Sequence, residues 1–304
     1  MEFLEQDRIT KIRSIMLEQN NIEDFFLSFS GGKDSTVLSR LLDVAIPDNK
    51  VPRVFCDTGI EYNEIRNFVK RERERDSRIV IISPSRNIKE LLQTYGYPFK
   101  SKEFAERLHR AREVLGTEKE KLNWMQKFIT GKDKYGNETQ FTCPDMLKYL
   151  IYTNDFPISD KCCYYLKEAP IQTWSKENKK PVHITALMQA EGGRRASTSC
   201  LAFKRGKLFH FNPFAVVPEE FISYLIDKYN IELCKLYYPP YNFKRTGCKG
   251  CPFNINLQSD LETIRYFFPS EAKQCEHIWK PVYEEYRKIG YRLRKNDQQS
   301  LFEV

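Results

Sequence analysis

Two groups of residues in this chain have the types and spacing to do chemistry. Cys162 and Cys163 are adjacent in KCCYYLKEAP, and Cys248 and Cys251 form a C-x-x-C in RTGCKGCPF, with 84 residues between the two pairs. A C-x-x-C by itself is open to three readings: a redox dithiol, half of a zinc site, or half of an iron–sulfur site. Four thiolates are a complete donor set for either Zn2+ or a cluster. Lys161, Arg245 and Lys249 stand beside these cysteines in sequence and would bring positive charge to anionic sulfur. The chain has nine cysteines, an odd number, and an intracellular chain of this length favours metal ligation or redox chemistry over a disulfide framework. Cys56, Cys143, Cys200, Cys234 and Cys275 have apolar or helical surroundings and are expected to be buried hydrophobes.

The second group is SFSGGKDS, residues 28–35. Gly31 and Gly32 permit a tight turn that turns backbone N–H groups toward an anion, and a helix opening near Asp34 and Ser35 adds its partially positive end. Ser28, Ser30 and Ser35 supply hydroxyls and Lys33 a mobile cation, so the segment has the parts of a phosphate site. It lacks the G-x-x-x-x-G-K-[ST] spacing of a Walker loop.

These residues need a scaffold, and the apolar pattern supplies one. Asp24 to Ser30 is a short apolar run that ends at the two glycines and is followed by the helical pattern STVLSRLLDVA. VPRVFCD leads through TGIEY into a helix beginning near Asn63, and RIVIIS leads into NIKELLQTYG. PVHITALMQ reads as a further buried strand. Strand and helix in alternation predict an α/β fold: a doubly wound parallel sheet with helices on both faces. Residues 97–160, with SKEFAERLHRAREVLG, an exposed turn KDKYGNET and CPDMLKYLIY, read as a helical insertion. The expected division is a nucleotide-binding α/β part at 1–215 and a mainly helical part at 216–304, interrupted at Pro269 and Pro281, that carries the C-x-x-C. The run Lys70 to Arg78 interleaves Glu72, Glu74 and Asp76 and reads as an exposed mixed-charge helix.

On these motifs the chain resembles the phosphoadenylyl sulfate (PAPS) reductase family, within the PP-loop adenine nucleotide alpha-hydrolase superfamily. SGGKDS is similar to that superfamily's pyrophosphate loop, FCDTGIEYNEIRNFV to the second PAPS reductase motif, and ITALMQAEGGRRAST to its strand and arginine-bearing loop. The resemblance runs from about residue 24 to 255 and implies an adenine nucleotide, ATP or adenylyl sulfate (APS) or PAPS. Its contacts would come from Ser28, Ser30, Gly31, Gly32, Lys33, Asp34, Ser35, Asp57, Thr58, Gly59, Arg194 and Arg195. Lys33, Asp34 and Asp57 would be catalytic, with Asp57 either holding Mg2+ or capping the next helix. The vicinal pair plus C-x-x-C is similar to the iron–sulfur type of APS reductase, which implies one [4Fe-4S] cluster on Cys162, Cys163, Cys248 and Cys251. A four-cysteine zinc site is the alternative.

Sulfonucleotide reductases carry their nucleophile in a Glu-Cys-Gly motif on a C-terminal tail, and this sequence has no cysteine after Cys275. Together with an intact Lys33, that shifts the expectation to ATP: adenylation of an acceptor for sulfur insertion, as in the ATP pyrophosphatases of DNA phosphorothioation and certain tRNA thiolases. The acceptor would be DNA or tRNA, with which a net charge of +8 is compatible, and the sulfur donor a cysteine desulfurase. An APS or PAPS reductase served by a thiol reductant protein, and a noncatalytic nucleotide-binding or redox-sensing module, are the alternatives. The 304 residues, 41% hydrophobic and 13% aromatic, suffice for one large or two modest cores. No run of about 18 apolar residues occurs and the opening MEFLEQDRITKIRS lacks a secretion signal's apolar stretch, so no membrane association and a cytoplasmic location are expected.

Overall fold

The computed structural model describes all residues except 140, 141, 154, 155 and 296–304, and of Gly193 and Arg194 the backbone alone. Along the chain come α1 (Glu2–Arg13), β1 (Phe25–Ser28), α2 (Lys33–Ala45), β2 (Arg53–Cys56), α3 (Asn63–Arg75) and β3 (Ile79–Ile82). Helices α4 (Ile88–Tyr95), α5 (Lys102–Val114), α6 (Asn123–Thr130), α7 (Tyr149–Tyr152) and α8 (Lys161–Cys163) follow. The chain continues with α9 (Ala169–Glu177), β4 (Val182–Ile184), β5 (Leu201–Lys204), β6 (Lys207–Phe211) and α10 (Glu219–Tyr229). It ends, within the described residues, with α11 (Leu257–Phe267) and α12 (Pro269–Ile289). No helix among the described residues is long and apolar enough to cross a membrane.

The chain forms two compact units, each discontinuous in sequence: residues 1–85 with 167–247, and residues 86–166 with 248–304. The expected boundary at 215/216 falls inside the first unit, between β6 and α10. Residues 97–160 interrupt the first unit in sequence and fall in the same unit as the C-terminal helices.

The first unit is built on a six-stranded sheet in the order β3-β2-β1-β4-β6-β5. Pairings from β3 through β6 are parallel, and β5 alone runs antiparallel, against β6. The sheet is therefore mixed at one edge, because Arg205 and Gly206 both take positive φ (50° and 76°) and close a tight hairpin between β5 and β6. Alternation sorts β1 into two faces. Phe25 and Leu27 join a core with Ile12 of α1, Leu38 and Leu41 of α2 and Phe221 and Leu225 of α10. Phe26 turns the other way, with its ring 5.4 Å from Trp174 of α9 and stacked on His183 at 4.7 Å. Helices thus cover both faces, as the strand–helix alternation predicts. The chain leaves β1 toward β2 and β3, then returns to its other side at β4, which makes the carboxyl end of β1 the sheet's switch point.

Helix α2 buries Val37, Leu38, Leu41, Leu42 and Ala45 at helical spacing and stops before Pro47. It is tied to β2 by Arg53, a fully buried residue that reaches Asp43 Oδ1 of α2 at 2.7 Å, Asn49 Oδ1 at 2.8 Å and Ser39 Oγ at 3.2 Å. Burial lowers this guanidinium to about 10, against the attraction of Asp43, so it stays charged at neutral pH.

In the second unit, Phe99 meets Tyr286 of α12 at 4.7 Å, and Phe104 of α5 meets Phe128 of α6 at 5.9 Å. Arg112 of α5 donates to the Leu150 and Phe156 carbonyls at 2.8 and 3.0 Å. Pro269 opens α12 as its first residue, and Pro281 lies inside it without ending it, contrary to the expected interruption. Replacing Arg53 by alanine removes the fully buried cation from Asp43, which keeps only Arg78 and Asn49 Nδ2, and is expected to cost about 3 kcal/mol of stability. Urea unfolding reads this directly; a loss below about 1 kcal/mol would show that Arg53 does not anchor α2.

Candidate active site

The chain turns from β1 into α2 over Phe29 to Gly32. Gly31 has φ +68°, and a Cβ there would lie 2.7 Å from Val69 Cγ2 and 3.2 Å from Ile65 Cγ2 of α3. Gly32 is the N-cap of α2, in extended conformation and with no side-chain cap. The helix begins one residue earlier than expected, at Lys33. Its peptide N–H accordingly belongs to the first turn, where an anion is favoured.

The serines hold the turn from inside. Ser35 Oγ donates to the Gly32 carbonyl at 3.0 Å and accepts from Ser30 N at 3.1 Å, while Ser30 Oγ lies 2.9 Å from Ser35 Oγ and accepts from Gly32 N at 3.2 Å. Lys33 N–H donates to the Tyr237 hydroxyl at 3.0 Å, and that hydroxyl lies 2.6 Å from Thr246 Oγ1. Burial pushes the Tyr237 phenol up to about 12, so it remains a neutral hydroxyl. Lys33 Nζ points toward Glu219 of α10 at 3.9 Å, a loose and exposed pairing.

Asp34 is different. Its Oδ1 is buried with no hydrogen-bond partner, and desolvation raises its carboxyl above the ordinary range. Lys33 and Arg245 oppose that rise, and Glu191 and Glu219 add to it. Arg195 and Arg245 both hydrogen-bond Glu191, which ties the arginine loop together; the Arg194 side chain lies outside the described residues.

A cavity of about 210 Å³ opens beside the loop at the carboxyl ends of β1 and β2. Ser28 and Ser30, the β2 residues Val54 to Cys56, Glu61 and Ile65 near α3, Lys167, and Thr246 and Gly247 all contribute to its walls. Apolar walls with a few polar groups suit a small organic ligand. Ser28 Oγ lies 2.5 Å from His183 Nε2. Burial, reinforced by His210, lowers His183 to about 3, so its ring is neutral at physiological pH.

The second motif performs a task that the sequence reading did not assign. Asp57 Oδ1 accepts from Gly59 N at 3.1 Å, and Oδ2 takes both Nε and Nη2 of Arg66 at 3.0 and 2.9 Å. The N-cap of α3 is Tyr62, so Asp57 does not cap that helix. Thr58 donates from N and Oγ1 to the Glu61 carboxylate at 2.9 and 2.7 Å, and Lys167 stands 3.7 Å from it. Through Glu61 the turn Asp57 to Gly59 reaches the cavity wall.

The four motif cysteines, Cys162, Cys163, Cys248 and Cys251, are all in the second unit. Cys162 is buried; Cys163, Cys248 and Cys251 are half-buried. The Cys162 thiol is held far above the ordinary thiol range by its hydrogen bond with Cys163, by burial, and by the fields of Cys163, Cys251 and Cys248. Cys163, Cys248 and Cys251 thus all act on Cys162. No group of three or more His, Cys, Asp or Glu among the described residues is placed to hold a single metal ion. Lys249 is not a surface charge: it is buried, with Nζ 2.7 Å from Gln274 Oε1 and 3.3 Å from Glu271 Oε2. Arg245 is engaged with Glu191 in the first unit. Of the remaining cysteines, Cys56, Cys143, Cys234 and Cys275 are buried as expected and Cys200 is half-buried.

Residues 24–132 match the Phosphoadenosine phosphosulfate reductase domain. The match takes in the glycine loop and the Asp57 turn, and stops before Arg194, Tyr237 and the four cysteines, so it is shorter than the resemblance read from motifs. An uncharacterized protein of Methanocaldococcus jannaschii is 37% identical over 73 residues, 24% of this chain and 17% of that protein. The chain thus spans about a sixth of that relative. Among solved structures, PAPS reductase from Candida auris, as a phosphate complex, superposes with a TM-score of 0.45 at 11% identity, over 79% of this chain and 87% of that one. FMN adenylyltransferase of Candida glabrata gives 0.42 at 13% identity, over 77% and 58%.

Tyr237, Thr246, Glu61, Lys167 and Arg66 escaped the sequence reading. Glu61 and Arg66 lie within FCDTGIEYNEIRNFV, Lys167 within KCCYYLKEAP and Thr246 within RTGCKGCPF, but nothing in those motifs marks these positions, and Tyr237 lies outside all of them. Asp34 yields a prediction. A carboxyl raised in the folded state favours the protonated form, so its ionisation costs stability as pH rises from the unfolded to the folded value. Asp34→Asn should therefore stabilise the ligand-free protein above that window, by on the order of 1 kcal/mol, with the gain disappearing as pH falls through it. Melting temperatures of both proteins from pH 4 to 8 test this; a pH-independent difference would contradict it.

Proposed function

We propose that the chain is an enzyme that binds an adenine nucleotide at the loop 28–35 and cuts ATP at its α-phosphate, adenylating an acceptor for sulfur insertion. The observation carrying this reading is the glycine turn into an uncapped α2 N-terminus, with Lys33 in the first turn and an apolar cavity alongside. In this reading an acceptor oxygen attacks the α-phosphorus, the bond to the bridging oxygen breaks, and pyrophosphate leaves. Lys33 swings from Glu219 to the leaving phosphates, where its charge and the α2 N-terminus stabilise them. A phosphate oxygen at the Lys33 N–H would take the place of the Tyr237 hydroxyl.

Mg2+, which the resemblance implies, would be held by Asp34, whose buried Oδ1 has no partner. Asp57 fits that task poorly, since Arg66 and Gly59 N already engage its carboxylate. Bound there, the ion would neutralise phosphate charge. Arg194 and Arg195 are further phosphate contacts in this proposal, together with Ser28, Ser30, Ser35, Thr58 and Gly59 around the nucleotide.

Cys162, Cys163, Cys248 and Cys251 would hold a [4Fe-4S] cluster. The donor set fits: four thiolates are a complete ligand set for such a cluster, and Cys162, whose thiol is raised by the other three, needs a nearby cation to ionise. The cluster would supply redox or sulfur chemistry. The acceptor would be DNA or tRNA, with a cysteine desulfurase as sulfur donor, in a cytoplasmic protein. The match of residues 24–132 favours a second reading, a sulfonucleotide reductase that releases sulfite from APS or PAPS with a thiol reductant protein.

Pyrophosphate release from ATP with nucleic acid present tests the first reading. Lys33→Ala should lower kcat at least about 100-fold while leaving the melting temperature in place. Sulfite from APS or PAPS, without pyrophosphate from ATP, would transfer the assignment to the reductase. Iron and acid-labile sulfide near about four each per chain, lost in Cys248→Ser, would support the cluster; zinc in their place would remove it.

A further inference from the structure

The loop that carries Cys248 and Cys251 is held from beneath by one face of α12. Trp279 Nε1 donates to the Lys249 carbonyl at 3.0 Å, the Tyr283 hydroxyl to the Gly250 carbonyl, and the Tyr286 hydroxyl to the Pro252 carbonyl at 3.0 Å. The three donors are spaced i, i+4 and i+7, which is one stripe of a helix. All three side chains are buried. Arg292 Nη1 adds a second bond to the Pro252 carbonyl at 2.5 Å, and Lys100 N–H donates to the Tyr286 oxygen at 2.7 Å, which fixes the hydroxyl's direction. Cys275 Sγ would be 2.8 Å from a Cβ at position 250, where φ is +61°, so only glycine fits against the helix there.

In a trans peptide the N–H points opposite to the preceding carbonyl. Holding the 249 carbonyl toward α12 directs the Gly250 N–H away from it, and holding the 252 carbonyl does the same for the Phe253 N–H. Gly250 lies two residues after Cys248, and Phe253 two after Cys251. The peptide between them is different: the Cys251 N–H is engaged by the Cys248 carbonyl at 3.2 Å, and Pro252 has no N–H.

We propose that Trp279 and Tyr286 are positioning residues that aim the Gly250 and Phe253 N–H groups at the sulfurs of Cys248 and Cys251, and so set the reduction potential of the group those sulfurs hold. This rests on the cluster reading above. Donors to thiolate sulfur stabilise the more negative, reduced state of a cluster and raise its potential. Tyr283 serves the fold alone, because the peptide whose carbonyl it holds spends its N–H within the loop.

The pair Tyr286→Phe and Tyr283→Phe tests the distinction, since each removes one hydroxyl from a fully buried ring. Iron content, a chelator challenge and an EPR-monitored redox titration are measured on anaerobically purified protein, with thermal unfolding alongside. Tyr286→Phe should shift the potential negative and let a chelator strip iron at about 10-fold lower concentration. Tyr283→Phe should lower the melting temperature and leave the potential in place. Trp279→Phe should follow Tyr286→Phe, and serves where that variant fails to fold. Equal potentials in all the folded variants and the unsubstituted protein, or equal shifts in Tyr283→Phe and Tyr286→Phe, would overturn the proposal and leave the cluster standing. An unsubstituted protein without iron and sulfide would overturn both.

Discussion

No side chain fits at position 31. Val69 and Ile65 of α3 close over the turn so tightly that a Cβ would meet Val69 at 2.7 Å, and φ is already in the left-handed region. This one restriction determines how the chain leaves the central strand. With Gly31 beneath α3 and Gly32 extended, α2 starts at Lys33, and its first peptide groups lie at the switch point of the sheet. The cavity, the serine hydrogen bonds and the approach of Tyr237 all depend on that start. Arg53 secures the other end of the same helix, so α2 is fixed at both ends before any ligand arrives.

In the proposed reading, the charges at the loop act on a ligand that brings its own. Asp34, Glu191 and Glu219 are three carboxylates around Lys33, Arg195 and Arg245; both arginines hydrogen-bond Glu191, whereas Asp34 Oδ1 is buried without a hydrogen-bond partner. A protein stabilised for its own sake would pair or remove such a group. A polyphosphate with its counter-cation is the kind of ligand that both signs of charge can serve: the cations and the helix terminus act on phosphate oxygens, and the carboxylate acts on the cation. The Tyr237 hydroxyl on the Lys33 N–H fits the same view, since it is a neutral donor and acceptor that an anion can replace without leaving a buried charge behind.

The parts of this structure legible in the sequence are those with local repetition. Strands β1 to β4 and helices α2 to α5 and α10 follow from apolar periodicity, and the glycine loop falls where SFSGGKDS places it. The β5–β6 hairpin is legible in principle, since Arg205-Gly206 is a two-residue turn between alternating segments, but it lies outside every motif that carries the resemblance. The units were not legible, because each is assembled from two distant stretches, and no shift in composition marks a boundary at 85, 166 or 247. Asp57 illustrates a different limit. Its position at the end of β2 is a matter of strand length, whereas its occupation by Arg66 depends on which way one helical side chain turns.

Helix α12 shows why a proline is a poor guide to where a helix ends. Pro281 removes one N–H from the ladder, and yet the helix runs from Pro269 to Ile289. Continuity through that position keeps Cys275, Trp279, Tyr283 and Tyr286 on one buried stripe, each within reach of the same short loop. A break at 281 would turn the two tyrosines away from the face shared by Cys275 and Trp279; the Gly250 carbonyl would lose the Tyr283 hydroxyl and the Pro252 carbonyl would keep Arg292 alone. Burying three polar aromatic groups along one helix is favourable only when each finds a partner. The backbone of CKGCP supplies all three, so the fold of the second unit and the shape of the thiol loop are specified by the same contacts.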